Sequence, residues 1–216
     1  MNRPESEERG SGRFRLGVLA SGRGTNLQAI LDRLHGRDGI EVAAVGSDNP
    51  GAAALERAAD AGIDTAGFPG DDYHDRDARD LAIADWLAAH RVDLVVLAGY
   101  MQLLSAGFVR RFADRIVNVH PALLPSFPGL DAIGQALEHG VRITGVTVHF
   151  VDDGVDSGPI LLQRPIPVPP GRERDQLEAA IHATEHAIYP EAIRLIAAGR
   201  VSIAPGSRLV TIEAAT

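Results

Sequence analysis

Asn118 and His120 stand two residues apart at the end of an apolar run, in the segment RIVNVHPALLPSFPG (residues 115–129). Because successive side chains of a strand point to opposite faces, this spacing puts both on the same face. The amide offers an uncharged N–H donor, and the imidazole gives or takes a proton near neutral pH. Together they can stabilise an oxyanion and move a proton, as acyl transfer requires. A lone strand histidine is more often an ordinary core or surface residue, so other residues must support this interpretation.

Three prolines follow directly after this strand: Pro121, Pro125 and Pro128. Proline fixes φ and lacks an N–H donor, so this spacing forbids both a continuing strand and a helix. The polar pair therefore lies at a rigid strand exit. Ligands of open α/β sheets bind at the carboxyl ends of strands, which predicts a site here.

A glycine-bearing turn, SGRGTNL (residues 21–27), separates the first predicted strand from the first predicted helix. Glycine lets backbone N–H groups approach an anion, and a helix N-terminus attracts negative charge. The spacing lacks the third glycine of a dinucleotide fingerprint and the lysine of a P-loop. We interpret Gly24, Thr25 and Asn26 as a monophosphate site. The alternative is a tight turn in which Thr25 or Asn26 caps the helix.

Acidic residues cluster in the turn DDGVDSG (residues 152–158). The ordinary interpretation of Asp152, Asp153 and Asp156 is that their carboxylates are solvated. A calcium loop of the EF-hand type is excluded because the closing Glu and the full spacing are absent. If this loop folds back over the strand exits, Asp156 can stabilise a protonated imidazole.

The segment HATEH (residues 182–186) matches the H-x-x-E-H pattern of some zinc proteases. On a helix, His182 and His186 would share one face, but few residues remain downstream to supply a third ligand. We predict no metal site, and expect the two histidines to pack on a helix surface. Glu185 can still face a ligand.

Apolar runs and helical patterns alternate along the chain. Residues 14–20, 40–48, 92–100 and 115–120 are predicted strands; helices are predicted after the glycine turn and at 50–62, 75–90, 105–113, 130–139 and 173–198. Residues 144–151 and 160–168 form a predicted antiparallel pair, whose prolines place the second strand at an edge, and a short strand ends the chain. The pattern predicts an α/β, Rossmann-like fold: a mostly parallel twisted sheet with helices on both faces and an antiparallel C-terminal addition.

Composition limits the classes of function. The 216 residues are 45% hydrophobic and 23% charged, as expected for one globular domain over residues 14–216. The absence of cysteine excludes disulfides and a thiol nucleophile. A net charge of −8 without a Lys/Arg cluster argues against nucleic acid, and no apolar run reaches a membrane-spanning length of roughly 20 residues. Residues 1–13 lack the apolar core of a signal peptide, so we expect a mobile, disordered tail and a cytoplasmic protein.

Five stretches resemble the phosphoribosylglycinamide formyltransferase family, the folate-dependent formyl-transfer enzymes of purine synthesis. They are SGRGTNLQAI, VVLAGYMQLLS, IVNVHPALLPSFPG, TGVTVHFVDDGVDSGPILLQ and EHAIYP, spread from about residue 15 to residue 200. A single motif would be weak evidence, but five in order at compatible separations are specific.

The resemblance implies the formyltransferase fold, with a nucleotide-binding half (14–118) and a catalytic, folate-binding half (119–216). It implies transfer of a formyl group from the co-substrate 10-formyltetrahydrofolate to the amine of glycinamide ribonucleotide, without a metal. The expected partners are these small molecules, with neither nucleic acid nor a membrane, and the chain would be a monomer or a homodimer.

The resemblance also implies roles for individual residues. Asn118, His120 and Asp156 look like the catalytic residues, which we call the catalytic trio. Gly24, Thr25 and Asn26 look like the phosphate loop, and Glu185 like a ribose contact. The formyl-folate site would contain Arg76, Met101, Gln102, Leu103, Leu104, Asn118 and Val155.

Four positions depart from the family pattern. In the family a basic residue is common where Gln102 stands and another where Ser126 stands, and histidines are frequent near Asp131 and Ile133. All four are uncharged or acidic here, so contacts to the folate tail or to the phosphate are expected to differ in strength.

The nearest alternative is formyltetrahydrofolate deformylase, a hydrolase in which water replaces the amine and which usually carries an additional N-terminal regulatory domain. Methionyl-tRNA formyltransferase fits less well, because it has a C-terminal RNA-binding domain and a more basic surface. A non-catalytic ligand-binding module would keep the glycine turn but would have no use for the catalytic trio.

Overall fold

The computed structural model describes residues 12–171, 173–204 and 206–214. The predicted tail, residues 1–13, lies outside the described residues except for residues 12 and 13. Within the described ranges, no helix combines the length and the apolar character that crossing a membrane requires.

The main sheet contains seven strands: β1 (Phe14–Leu19), β2 (Ile40–Ser47), β3 (Asp64–Gly67), β4 (Leu94–Leu97), β5 (Ile116–His120), β6 (Ile143–Phe150) and β7 (Ile160–Pro167). Their order across the sheet is β3-β2-β1-β4-β5-β6-β7. The pairs from β3 to β5 are parallel, whereas β6 runs antiparallel to β5 and β7 antiparallel to β6. The predicted antiparallel addition and the edge position of the proline-bearing strand β7 are therefore confirmed.

Six α-helices cover the sheet: α1 (Thr25–Leu34), α2 (Ala53–Asp60), α3 (Arg76–Ala89), α4 (Ala106–Arg111), α5 (Ala132–Glu138) and α6 (Arg174–Ala197), counted over the described residues. One apolar core joins the sheet to α1, α2, α5 and α6. A second core joins it to α3 and α4. The α/β fold with helices on both faces is thus confirmed.

Strand β4 explains why the sequence around it is almost continuously apolar. Leu94 and Val96 belong to the first core, and Val95 and Leu97 belong to the second. A strand buried on both faces cannot alternate apolar with polar residues, because neither face meets water.

Two strand predictions differ from the structure. Strand β3, with the sequence DTAG, was not predicted because it contains no apolar run; three of its four residues are exposed and it pairs only with β2. The single short strand expected at the end of the chain is instead two strands, β8 (Val201–Ile203) and β9 (Val210–Ile212), which pair antiparallel in a sheet of their own.

Tyr189 ties the long helix α6 to the sheet directly beneath the predicted site. Its buried hydroxyl lies 3.0 Å from the carbonyl oxygen of Leu97 and 2.9 Å from that of Val117. Leu97 is the last residue of β4 and Val117 is the second residue of β5, so the hydroxyl bridges the two strands immediately before Asn118.

Candidate active site

The catalytic trio converges in the structure. Asn118 and His120 end strand β5, and Asp156 lies in the loop between β6 and β7. The carboxylate oxygen Oδ2 of Asp156 is 3.3 Å from Nδ1 of His120. The other oxygen, Oδ1, accepts a hydrogen bond from Nδ2 of Asn118 at 3.4 Å. The acidic loop therefore folds back over the strand exit, and Asp156 is not a solvated turn residue.

Both ring nitrogens of His120 face an oxygen acceptor. Nε2 lies 2.8 Å from the carbonyl oxygen of Phe127, while Nδ1 faces Asp156. A neutral imidazole has one N–H and can donate to only one of these acceptors, whereas an imidazolium donates to both. The side chain is 5% exposed, so water does not compete strongly for either bond. This environment suits a histidine that holds and releases a proton.

The proline-bearing loop is fixed by backbone and side-chain contacts rather than by its prolines alone. Thr147, which lies opposite His120 on β6, donates to the carbonyl oxygen of Ala122 at 2.7 Å and accepts from the N–H of Leu124 at 3.1 Å. Gly129 N–H donates to Oδ2 of Asp156 at 2.8 Å. The loop is thereby joined to both β6 and the carboxylate of Asp156.

The pKa of Asp156 is lowered below its ordinary value of 3.8 by its surroundings. Burial acts in the opposite direction and raises it. Hydrogen bonds from His149 and from Gly129 N–H, together with the charges of the His120 and His149 rings, outweigh that effect. Asp156 is therefore a carboxylate at neutral pH, and a negative charge faces the His120 ring.

His149 is a fourth member of this cluster that the sequence analysis missed. Its Nε2 lies 3.3 Å from Nδ2 of Asn118 and 3.5 Å from Oδ1 of Asp156, and its Nδ1 lies 2.8 Å from the carbonyl oxygen of Phe150. His149 is opposite Asn118 in the antiparallel register of β5 and β6. Pairing these two strands in register would have identified it, since directly opposite residues are close neighbours.

The glycine turn leads into α1 with its helix N-terminus uncapped by a side chain. The N-cap residue is Gly24, in the left-handed conformation at φ 69°, and no side-chain hydrogen bond caps the helix. The alternative in which Thr25 or Asn26 is the capping residue is therefore wrong. The N–H groups of the first helical turn remain available for an anion.

Replacing Gly24 with alanine is expected to reduce the free energy of unfolding by about 1–3 kcal/mol. The φ of 69° is unfavourable for alanine, and a Cβ atom would lie 2.8 Å from both Cα and Cβ of Ala54 on α2. The measurement is a urea titration. Gly36→Ala is the matched control, because Gly36 has a similar φ of 74° but open space around its Cβ position. An equal reduction in the free energy of unfolding in the two variants would mean that the close approach of the new Cβ atom to α2 does not destabilise the fold.

Asn26 connects the glycine turn to α6. Its Nδ2 donates to Oε2 of Glu185 at 3.0 Å, and Glu185 is 5% exposed. Burial raises the pKa of Glu185 above its ordinary value, although the Asn26 hydrogen bond and the charge of His182 partly oppose this. The predicted phosphate-loop and ribose-contact residues are thus neighbours, despite a separation of 159 residues in the chain.

The two histidines of the HATEH segment stack on one helix face. The ring centroids of His182 and His186 are 6.5 Å apart. Among the described residues, no group of three His, Cys, Asp or Glu residues is arranged to hold a metal ion. His182 and His186 are half-buried, and His186 lines a cleft together with Thr25 and Arg57.

The predicted folate residues of the loop 101–104 lie at the carboxyl edge of the sheet. Met101 and Leu103 are exposed, as is Val155 in the Asp156 loop. The N–H of Met101 donates to Oγ of Ser21 at 2.8 Å, which joins this loop to the glycine turn. Arg76 is the first residue of α3, and Leu104 is half-buried.

Gln102 is held by the protein itself. Its Nε2 donates to Oδ2 of Asp48 at 2.8 Å, and its Oε1 accepts from Nη1 of Arg79 at 3.3 Å. Arg79 is in turn paired with the fully buried Asp80, whose Oδ2 accepts from the N–H of Ser105 at 2.6 Å. Gln102 therefore braces the loop as part of a polar network.

Two of the other departures from the family pattern, Asp131 and Ile133, have structural roles. Asp131 caps α5 by accepting from the N–H of Gly134 and pairs with Arg174 at 2.7 Å. Ile133 is buried in the core. The N–H of Ser126 donates to the carbonyl oxygen of Leu123 at 3.0 Å.

Comparison with known proteins identifies the family. The formyl transferase family matches residues 14–193. The phosphoribosylglycinamide formyltransferase of Mycobacterium tuberculosis is 44% identical over 189 residues, which cover 88% of this chain and 87% of that protein. The trifunctional purine biosynthetic protein adenosine-3 of Drosophila melanogaster is also 44% identical, over 89% of this chain, but the chain spans only 14% of its length.

Solved structures agree with these relatives. Glycinamide ribonucleotide transformylase 1 from Symbiobacterium toebii is 53% identical with a TM-score of 0.89, covering 93% of this chain and 94% of that one. A formyltetrahydrofolate deformylase from Pseudomonas syringae has a TM-score of 0.85 at 25% identity, covering 93% of this chain and 66% of its own. The chain belongs to the formyl transferase family and, within it, to the phosphoribosylglycinamide formyltransferases.

Proposed function

We propose that this protein transfers the formyl group of 10-formyltetrahydrofolate to the amine of glycinamide ribonucleotide, in purine synthesis. The products are formylglycinamide ribonucleotide and tetrahydrofolate. The observation that carries the proposal is the contact of Asp156 with both Asn118 and His120, at 3.4 and 3.3 Å, in a chain of this family. The remaining site assignments are proposals that rest on the same geometry.

The site provides donors where negative charge develops. When the amine attacks the formyl carbon, the formyl oxygen becomes an oxyanion, and preorganised donors stabilise it most. Nδ2 of Asn118 donates a long hydrogen bond of 3.4 Å to Oδ1 of Asp156 and lies 3.3 Å from Nε2 of His149. Bonds longer than the usual 3 Å or so are weak, so an oxyanion competes for these N–H groups effectively.

His120 carries the proton that the reaction must move. The attacking amine becomes more acidic as it bonds to carbon, and the departing folate nitrogen needs a proton. An imidazole performs both steps near neutral pH. Asp156 balances the positive charge of the imidazolium, and the fixed loop keeps the ring in place, which matters because misplacement by about 1 Å can cost about 100-fold in rate.

The two substrates are proposed to approach from opposite sides of the trio. The exposed apolar side chains of Met101, Leu103 and Val155 suit the aromatic ring system of a folate. The glycine turn, with Asn26 held by Glu185, suits the phosphate and ribose of the nucleotide. No nucleic acid, membrane or metal has a role in this proposal; the cytoplasmic location, the division into two halves and the oligomeric state remain predictions.

One assay separates transferase from deformylase. The protein is incubated with 10-formyltetrahydrofolate in the presence and in the absence of glycinamide ribonucleotide, and release of tetrahydrofolate is followed. We expect release that depends on the amine. Equal release without the amine would establish a hydrolase and contradict the proposal.

His149→Gln is expected to lower kcat by about tenfold, equivalent to about 1.4 kcal/mol of lost transition-state stabilisation. The ring positions both the Asn118 amide and the Asp156 carboxylate, and glutamine cannot reproduce the planar contact to both. Steady-state kinetics with both substrates measures the effect. His35→Gln is the control: Nδ1 of His35 accepts from the N–H of Val42 at 3.1 Å, away from the trio. An unchanged kcat in His149→Gln would remove this residue from the site.

A further inference from the structure

We infer that Arg57 of α2 makes the enzyme specific for a phosphorylated acceptor, by orienting the glycine turn and by placing a positive charge beside the start of α1. This inference rests on the proposed function, because the phosphate in question is that of the ribonucleotide. Arg57 lies outside the five motifs that carry the family resemblance. Its contacts, not its place in a motif, identify it.

Arg57 makes two hydrogen bonds to the glycine turn and the first turn of α1. Its Nε donates to the carbonyl oxygen of Arg23 at 2.8 Å, and its Nη1 donates to Oε1 of Gln28 at 3.0 Å. The N–H of Ala54, one turn earlier on α2, donates to the carbonyl oxygen of Gly22 at 3.1 Å. Helix α2 therefore binds two consecutive carbonyl groups of the turn.

These bonds determine where the N–H groups of the turn point. A trans peptide is planar, and its N–H and C=O point in opposite directions. Because the carbonyl groups of Gly22 and Arg23 are turned toward α2, the N–H groups of Arg23 and Gly24 are turned away from it. They join the free N–H groups at the start of α1, and successive N–H groups that point into one space attract an anion.

The guanidinium lies on the carbonyl side of the turn, opposite these N–H groups, so it acts on the phosphate by orienting the turn and by its charge at longer range, and not by direct contact. Two of its five N–H bonds are used in the contacts above, and the remaining three have no acceptor among the described residues. Arg57 also lines a cleft of about 300 Å³, together with Thr25 and Gln28 of α1. The guanidinium remains charged at any physiological pH, so its field at the turn always favours an anion.

The other charged residues of the cleft are less suited to this task. Asp32 accepts a hydrogen bond from Nε2 of Gln28 at 2.9 Å, and its negative charge would repel a phosphate in the far part of the cleft. Arg33 lines the same cleft but stands eight residues after Thr25, about 12 Å along the helix axis at 1.5 Å per residue. Arg57 is thus the cation nearest the start of α1 in this cleft.

The test changes the enzyme and the acceptor together. We expect Arg57→Gln to lower kcat/KM for glycinamide ribonucleotide by about tenfold to a hundredfold, mainly through KM, because the N–H groups of the turn lose their orientation toward the phosphate and their charge-assisted hydrogen bonds weaken. With the acceptor that lacks its phosphate, the same variant should lose less than about twofold, because the N–H groups of the turn then have no phosphate to bind. An equal loss with both acceptors, or no loss with either, would overturn the inference.

Two further variants separate charge from general damage. Arg33→Gln removes the same charge from the same cleft and is expected to keep kcat/KM within about twofold, since surface charges at this distance are screened. Arg57→Lys keeps the charge without the planar fork and should recover part of the loss. If Arg33→Gln loses as much as Arg57→Gln, the effect is one of net charge and the assignment to Arg57 is wrong.

A binding measurement keeps this test independent of turnover. Calorimetry measures the Kd of ribose 5-phosphate and the Kd of ribose, and the ratio of the two is the phosphate contribution to binding. This ratio is compared between the wild type and Arg57→Gln. We expect that contribution to fall in the variant by the same factor as kcat/KM. A wild type that binds ribose 5-phosphate but does not use the amine would contradict the proposed function alone. A phosphate contribution unchanged by Arg57→Gln would contradict this inference alone.

Discussion

Replacing His120 with alanine is expected to lower kcat by about two to four orders of magnitude while leaving the fold intact, as is usual when a general acid–base group is lost. The ring is held between Asp156 and the carbonyl oxygen of Phe127, and no nearby group takes its place in that geometry. His149 contacts the opposite oxygen of the same carboxylate. It therefore cannot replace His120 without a rearrangement of Asp156.

Single-turnover kinetics measures the chemical step, and thermal unfolding reports any loss of stability. His90→Ala is the matched control: both ring nitrogens of His90 are also engaged, with the carbonyl oxygen of Trp86 at 2.8 Å and with Asp64 at 3.2 Å. It should lose stability and keep its kcat. If His120→Ala retained kcat within about tenfold, the proton would have to travel by another route and the proposed role would be wrong.

The parts of the fold that the sequence predicted are those with strong periodic signals. Strand β4 was found because burial on both faces demands an uninterrupted apolar run, and α6 because its pattern is long. Strand β3 was missed because an exposed edge strand with four residues needs no apolar run. Its existence depends on pairing with β2, which is a tertiary contact. Local patterns carry no information about such contacts.

The site shows the same division between local and long-range information. The spacing of Asn118 and His120 predicted a shared face, because alternation along a strand is local. Asp156 is 38 residues from Asn118, and only the resemblance to a family assigned it to the trio. His149 was missed because its proximity depends on the register between β5 and β6. The contacts of the Gln102 side chain with Arg79 and Asp48 were missed for the same reason, since both partners are distant in sequence; its contact with folate stays a prediction.

Asp156→Asn is expected to lower kcat by about two orders of magnitude at every pH between about 5 and 9. Asparagine keeps the shape of the side chain but removes the charge that faces His120 and His149. The pKa of Asp156 lies below 3.8, so the wild-type carboxylate is ionised throughout this range. The loss should therefore extend over this whole range, and a variant that approached wild-type activity near neutral pH would contradict the role of the charge.

The same lowered pKa links the charge of Asp156 to the stability of the fold. Because the pKa is lower in the folded than in the unfolded protein, the ionised carboxylate stabilises the fold above pH 3.8, and this contribution is lost as the pH falls through the folded pKa. Urea titrations should show Asp156→Asn less stable than the wild type at pH 7, with the difference shrinking below pH 3.8. Asp153→Asn removes the same charge from an exposed position in the same loop. This variant should keep the wild-type kcat and the wild-type free energy of unfolding at each pH. A stability difference for Asp156→Asn that stayed constant down to the lowest pH would show that packing, rather than the ionised carboxylate, is what the substitution removes.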